Sequence, residues 1–137
     1  MGSTLVDIAD GVSEKLDSTG LFETIIVSPI SSGNQIFDVL DAMTRVPGAV
    51  IAFSGADFDE EGLERKLRLL IIVVDRFRRG SAAKAAGAWQ LVEAVETLCA
   101  NGLTSCGIPF TPVSWEPVDS GKENITAFAI TLEGSEA

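Results

Sequence analysis

The sequence predicts an α/β fold of the α+β type: a mostly antiparallel sheet of about four to five strands, two longer helices packed on one face, and one short helix. Three observations predict it. Residues 66–75 begin with alternating polar and apolar residues and become a continuous branched apolar run, which is typical of a central buried strand. Apolar residues recur at helical spacing near the N terminus and again after residue 81. Residues 124–133 alternate with the period of a strand.

An apolar stripe at the N terminus predicts the first helix. Ser3 or Thr4 can cap this helix, and Asp7 lies in its first turn, where the helix dipole stabilises a negative charge. Gly20 provides the stop, and the β-branched segment 22–28 then forms a strand. The stripe has the spacing i, i+3, i+4, i+7 and i+11 and consists of Leu5, Ile8, Ala9, Val12 and Leu16.

The middle of the chain supplies the short helix and two strands. Apolar residues at helical spacing place the short helix at 35–45, and a Pro-Gly pair ends it. Residues 49–53 follow as a buried strand. The acidic residues of 54–65 separate it from the central strand, so we expect a hairpin with a long exposed tip.

The second long helix is predicted at 81–99 by an apolar stripe. One line of it runs through Ala85, Trp89, Val92, Val95 and Cys99, and Ala88, Leu91 and Leu98 widen it. This line predicts that Trp89 belongs to the core. Gly87 interrupts an alanine-rich run, which indicates that its backbone packs closely against a neighbour.

Two further strands complete the predicted sheet. Residues 103–111 contain Gly and Pro and are expected to be irregular, and 113–116 forms a short strand. In the last strand, 124–133, side chains alternate between two faces. One face carries Phe128, Ile130 and Leu132, and the other carries Ala127, Ala129 and Thr131.

Length and composition predict one domain spanning 1–137, with an ordered core at about 4–133 and a C-terminal tail at 134–137. The apolar run 69–74 is far too short to span a membrane, and no signal peptide is expected. The net charge of −10 disfavours sequence-independent binding to nucleic acid. The chain has no histidine, which removes the commonest general base and metal ligand. We therefore expect no enzyme activity.

Two short motifs suggest chemistry, but neither is complete. Ser81 and Lys84 match a Ser-x-x-Lys pair without the companion elements of acyl-serine hydrolases, so we interpret Ser81 as a helix cap. Residues 57–62 resemble the start of a calcium loop, but Arg68 stands where a bidentate Glu is needed. We therefore predict no catalytic residue, no cofactor site, no metal site and no small-molecule substrate.

The candidate functional residues are instead those of a subunit or partner interface. An acidic hairpin tip and a tight cation cluster are complementary, and a ring closed head-to-tail needs two different patches of this kind. Trp115 is either an interface anchor or a core residue. The candidates are Asp57, Asp59, Glu60, Glu61, Glu64, Arg76, Arg78, Arg79 and Trp115.

The order of segments resembles the small neck and tail-terminator proteins of Mu-like long-tailed phages and prophages. The resemblance covers about residues 5–132 and rests on the Pro-Gly-led strand at 47–55, the acidic tip, the strand that closes on Asp75-Arg76-Phe77-Arg78, and the helix containing Gly87. It implies a virion protein, assembled in the host cytoplasm, that forms a ring, commonly a hexamer. Such a ring caps the tail tube and contacts tube, sheath or connector proteins, while DNA passes through without specific binding.

Two other classes of function stay open on the sequence. One is a monomeric protein-binding or regulatory α/β module. The other is a hydrolase that uses two converging buried carboxylates, which a cleft with raised carboxyl pKa values would reveal.

Overall fold

The structure, a computed structural model, is built on one five-stranded mixed sheet with the strand order β1-β2-β3-β7-β6. It describes residues 4–27, 46–62, 64–76, 87–118 and 125–136. Within these residues two helices and a small two-stranded hairpin, β4-β5, accompany the sheet. The elements are α1 (Leu5–Asp17), β1 (Thr24–Val27), β2 (Gly48–Phe58), β3 (Arg65–Arg76), α2 (Gly87–Ala100), β4 (Thr104–Ser105), β5 (Ile108–Pro109), β6 (Thr111–Val118) and β7 (Ile125–Glu136).

β3 is the central strand, as its apolar run predicts. It pairs antiparallel with β2 on one side and with β7 on the other, and its residues from Ile71 to Val74 are buried. β7 in turn pairs antiparallel with β6. The prediction of a mostly antiparallel sheet is only partly matched, because the edge strand β1 runs parallel to β2, with Ile25 opposite Ala49. The sheet is therefore mixed.

Alternation along the strands gives the sheet two apolar faces. Ile71, Val73, Phe128 and Ile130 contribute to a large core that also contains the buried sides of α1 and α2, so both helices lie on this face. The opposite face carries a smaller cluster of buried residues, formed by Val50, Ile72, Val74, Ala127 and Ala129. The predicted division of β7 into two faces is confirmed for its buried residues.

α1 forms as the apolar stripe predicts. Thr4 caps it, since its hydroxyl oxygen accepts a hydrogen bond from the backbone N–H of Asp7 at 3.1 Å. The helix ends at Asp17, with Ser18 as the C-cap, three residues before the position of Gly20 in the chain. Ile8, Ala9, Val12 and Leu16 are buried, whereas Leu5 is 42% exposed.

The β4-β5 hairpin packs against α1 and is hydrogen-bonded to it. The hydroxyl of Ser105, which is buried, donates a hydrogen bond of 2.6 Å to the backbone carbonyl of Ile8. A Cβ atom at Gly11 would overlap this hydroxyl, so the close approach requires glycine at that position. Residues 103–111, expected to be irregular, therefore contain a short ordered hairpin whose turn is formed by Cys106 and Gly107 at positive φ.

α2 packs through part of the predicted stripe, and Trp89 is the exception. Ala88, Leu91, Val92 and Val95 are buried, while Trp89 is 57% exposed. The prediction of Trp89 as a core residue is wrong, because the spacing 88, 91, 95 turns the helix so that Trp89 lies on its flank.

Gly87 packs closely against the central strand, as its place in the alanine-rich run indicates. A Cβ atom there would lie 2.5 Å from Oδ2 of Asp75, the second-last residue of β3. The first residue described in α2 is therefore in contact with the end of the central strand.

Several strands are longer than the sequence suggested. β2 continues past 49–53 through a bulge between Phe53 and Gly55, and β6 extends across Pro112 and Pro117. Residues 134–136, expected to be part of a tail, form the end of β7. The predicted short helix at 35–45, the first residues of the helix predicted at 81–99, and the Ser81/Lys84 pair lie outside the described residues.

Candidate functional site

The acidic tip projects from the end of the long β2-β3 hairpin. The strands stay paired as far as Phe58 and Arg65, so the tip comprises residues 59–64 and is shorter than expected. The backbone N–H of Asp59 donates to the carbonyl of Glu64 at 3.1 Å, and that of Gly62 donates to the carbonyl of Asp59 at 3.0 Å. The predicted acidic residues are all exposed: Asp57, Asp59, Glu60, Glu61 and Glu64.

The charge of Asp57 is compensated within the hairpin. Its carboxylate forms an ion pair with the guanidinium of Arg68 on β3. A Cβ at Gly55 would lie 2.6 Å from the same guanidinium, so glycine gives Arg68 the room to reach Asp57. Arg68, which stands where a calcium loop needs a bidentate Glu, thus pairs with the carboxylate that would be the first ligand of such a loop.

The predicted cation cluster begins at the other end of the same strand. Arg76 is the last residue of β3 and lies opposite Ile125 in the register with β7. Arg78 and Arg79 follow in the sequence but lie outside the described residues. A strand of 12 residues, at a rise of about 3.3 Å per residue, separates its two ends by roughly 36 Å. The acidic tip and the backbone of Arg76 are thus at opposite ends of the central strand.

Trp115 combines the two roles that the sequence left open. Its indole contacts the ring of Phe128 edge-on, with ring centroids 5.4 Å apart and an interplanar angle of 83°. It is nevertheless 47% exposed, and its strand β6 is exposed along almost its whole length. Trp115 therefore rests on the core and also presents an aromatic surface at the edge of the sheet.

The exposed Trp89 lies beside Trp115, although α2 and β6 are different elements. Both tryptophans line one cleft of about 170 Å³, together with Val92, Glu93 and Glu96 of α2. In the adjoining turn of α2, burial and the nearby Glu96 carboxylate raise the pKa of the Cys99 thiol to about 11. Sequence reasoning selected Trp115 and missed Trp89.

A larger groove is lined by the start of α1 and by the β2-β3 hairpin. It has a volume of about 610 Å³, and its lining is mainly apolar. Leu5 and Phe58, 42% and 66% exposed, contribute to it, and Arg65 provides its charged side chain. Exposed apolar groups at such a position are typical of a surface that another molecule covers.

Sequence signals for the two missed aromatic residues exist. Phe58 lies between Asp57 and Asp59, and an aromatic side chain inside an acidic tip is a sign of exposure rather than of burial. For Trp89, the small Ala88 next to it allows a helix phase in which alanine faces the sheet and tryptophan lies on the flank.

In the described ranges, no three acidic or cysteine side chains form a cluster able to hold a metal ion. Neither of the two described helices is long and apolar enough to cross a membrane. The features that stand out are exposed charges and exposed aromatic or aliphatic groups, which are the chemistry of contact surfaces.

Comparison with known proteins adds no family assignment: no family model matches this chain, and no curated protein matches it.

Proposed function

We propose that this chain is a structural phage tail protein, a tail terminator that closes head-to-tail into a homo-oligomeric ring at the head-proximal end of the tail tube. In this role it joins the tube to the neck and performs no catalysis. The family it resembles commonly forms rings of six copies. The observation that carries the proposal is that the exposed acidic tip follows one end of the β2-β3 pairing, whereas Arg76, the first residue of the cation cluster in the sequence, ends β3 at the other.

The distance between these two patches favours contact between copies over contact within one copy. At roughly 36 Å, the start and the end of β3 are several Debye lengths apart at physiological salt, where that length is about 8 Å. The tip of one copy is therefore far from the end of its own β3, where the sequence of the cation cluster begins, and in this proposal it meets the cation cluster of a neighbour. Two different complementary patches give a heterologous contact, which closes into a ring when the rotation per copy fits.

The apolar groups beside the tip support the same contact. Phe58 and Leu5 contribute to the groove of about 610 Å³, so a neighbour that reaches the tip would also cover apolar surface. Such burial contributes about 25 cal/mol per Å² of apolar area, whereas exposed ion pairs contribute little. In this proposal the charges set the direction of docking, and the groove supplies most of the affinity.

The acidic composition suits a ring through which DNA passes. Each copy carries a net charge of −10, so a closed ring repels phosphates unless cations are concentrated at its lumen. The phage assignment itself rests on the order of segments described for the sequence, with tube, sheath or connector proteins as expected partners.

The oligomeric state of the purified protein tests the proposal. Size-exclusion chromatography with light scattering over a wide concentration range, followed by negative-stain electron microscopy, should give one closed ring of defined mass. A particle that stays monomeric at every concentration, and after incubation with isolated tail tubes, would contradict it.

The alternative is a monomeric protein-binding or regulatory α/β module. The observation in its favour is the cleft between Trp89 and Trp115, whose size suits a single side chain of a partner. A strict monomer that binds another protein through this cleft would support the module rather than the ring.

A further inference from the structure

The cleft between α2 and β6 brings the two tryptophans of the chain together on an exposed surface. Trp115 lies opposite Ile130 in the β6-β7 register, and Ile130 belongs to the core on the helix side of the sheet. Trp89 follows Ala88, which packs into that same core. The two indoles therefore line one cleft where the flank of α2 passes the edge strand, and 57% and 47% of their surfaces are exposed.

The volume of the cleft limits what can bind there. Pockets for small-molecule ligands measure about 300–1,000 Å³, whereas this cleft measures about 170 Å³. At about 30 Å³ per water molecule, it holds the volume of roughly six waters. One long side chain fits such a space.

The charge of the lining selects the kind of side chain. Glu93 and Glu96 are exposed residues of α2, and they line the cleft beside the indole rings. Within the described residues, neither carboxylate has an ion-pair partner. Indole faces attract cations through their electron-rich π systems, and carboxylates attract them directly. Both components of the lining thus favour a positively charged group.

We propose that this cleft binds the side chain of an arginine presented by a partner protein. A planar guanidinium can stack on an indole and at the same time donate two hydrogen bonds to a carboxylate, which the compact ammonium of lysine cannot do. The inference does not depend on the ring, because an arginine-bearing partner can dock on a monomer or on an assembled copy.

The chain offers a direct readout for this binding. It contains two tryptophans and no tyrosine, so its intrinsic fluorescence and its two indole N–H signals in NMR spectra report on this cleft alone. The probe is a capped peptide, acetyl-Gly-Arg-Gly-amide, and its control is the citrulline peptide, which has the same shape without the charge. We expect the arginine peptide to shift both indole signals with a Kd on the order of millimolar, and citrulline to weaken binding by at least about fivefold.

A matched pair of variants locates the effect. The double variant Glu93→Gln/Glu96→Gln should bind the arginine peptide at least about fivefold more weakly, while its far-UV circular dichroism spectrum stays unchanged. Asp10→Asn with Glu14→Gln makes the same change of charge on the exposed side of α1 and should leave binding unchanged. Equal binding of the two peptides, no shift of either indole signal, or an equal loss in both variants would overturn the proposal. A ring that forms while the peptide fails to bind would refute this inference and leave the proposed function intact.

Discussion

The indole of Trp115 meets the ring of Phe128 edge-on, with centroids 5.4 Å apart, and so links an exposed edge strand to the core beneath the helices. Phe128 is 7% exposed and belongs to that core, whereas Trp115 is 47% exposed. The two partners of one aromatic contact therefore have different roles. One fills the interior, and the other presents surface.

This difference predicts unequal costs of truncation. Phe128→Ala should lower the free energy of unfolding by about 3–5 kcal/mol, because it leaves a cavity in the core. Trp115→Ala should lower it by only about 1–2 kcal/mol, since it removes the aromatic contact and a partly exposed ring. Urea unfolding followed by circular dichroism measures both. Equal costs would show that Trp115 is a core residue and would weaken its assignment to an interface.

A second prediction concerns the contact between α1 and the β4-β5 hairpin. Gly11→Ala should destabilise the protein by about 1–3 kcal/mol, because the added methyl group overlaps the hydroxyl of Ser105. Combining it with Ser105→Ala removes the overlapping oxygen, so the double variant should lose less than the sum of the two single losses. Strictly additive losses in thermal or urea unfolding would contradict the close approach at Gly11.

A third prediction follows from the raised pKa of Cys99. In a Cys106→Ser variant, alkylation of Cys99 by iodoacetamide at pH 8 should be about 100-fold slower than that of a thiol with the ordinary pKa of 9.0, because only the thiolate reacts. With the pKa raised to about 11 by burial and by Glu96, the rate should rise about tenfold per pH unit until that region. A rate that levels off near pH 9 would contradict the burial of this thiol.

A fourth prediction concerns nucleic acid. With a net charge of −10 per chain, the protein should not retain duplex DNA in a gel-shift assay even at low salt, where phosphate contacts are strongest. Retention that weakens steeply with added salt would show a concentrated cationic surface and would argue against passive passage of DNA.

Much of the fold could be predicted because its signals are local. The branched run of β3, the alternation of β7 and the Thr4 cap each depend on a few neighbouring residues and on their burial. The parallel pairing of β1 could not be predicted, since the residues of a strand do not encode the direction of its neighbour. The length of β2 was missed because a bulge near Phe53 carries the strand through a polar, glycine-containing segment.

The candidate site was predicted unevenly for the same reason. Exposure of Glu60 and Glu61 follows from composition alone, and the structure agrees. The compensation of Asp57 by Arg68 depends on the register of two strands. The position of Trp89 in the cleft that Trp115 also lines depends on the rotation of α2. Such contacts between different elements cannot be predicted from the residues of any one segment.

Mixing two charge-reversed variants tests the head-to-tail contact most directly. One variant carries Glu60→Lys and Glu61→Lys at the tip, and the other carries Arg78→Glu and Arg79→Glu after β3. Asp10→Lys with Glu14→Lys serves as a control with the same change of charge on α1. Each interface variant alone places like charges at every contact and should fail to form the ring.

Mixed in equal amounts, the two interface variants place opposite charges at every contact of an alternating ring of even number. Light scattering should therefore show the wild-type mass restored only in the mixture, with the α1 control assembling normally. Assembly of either interface variant alone, or no recovery on mixing, would contradict the contact between the acidic tip and the cation cluster on which this account depends.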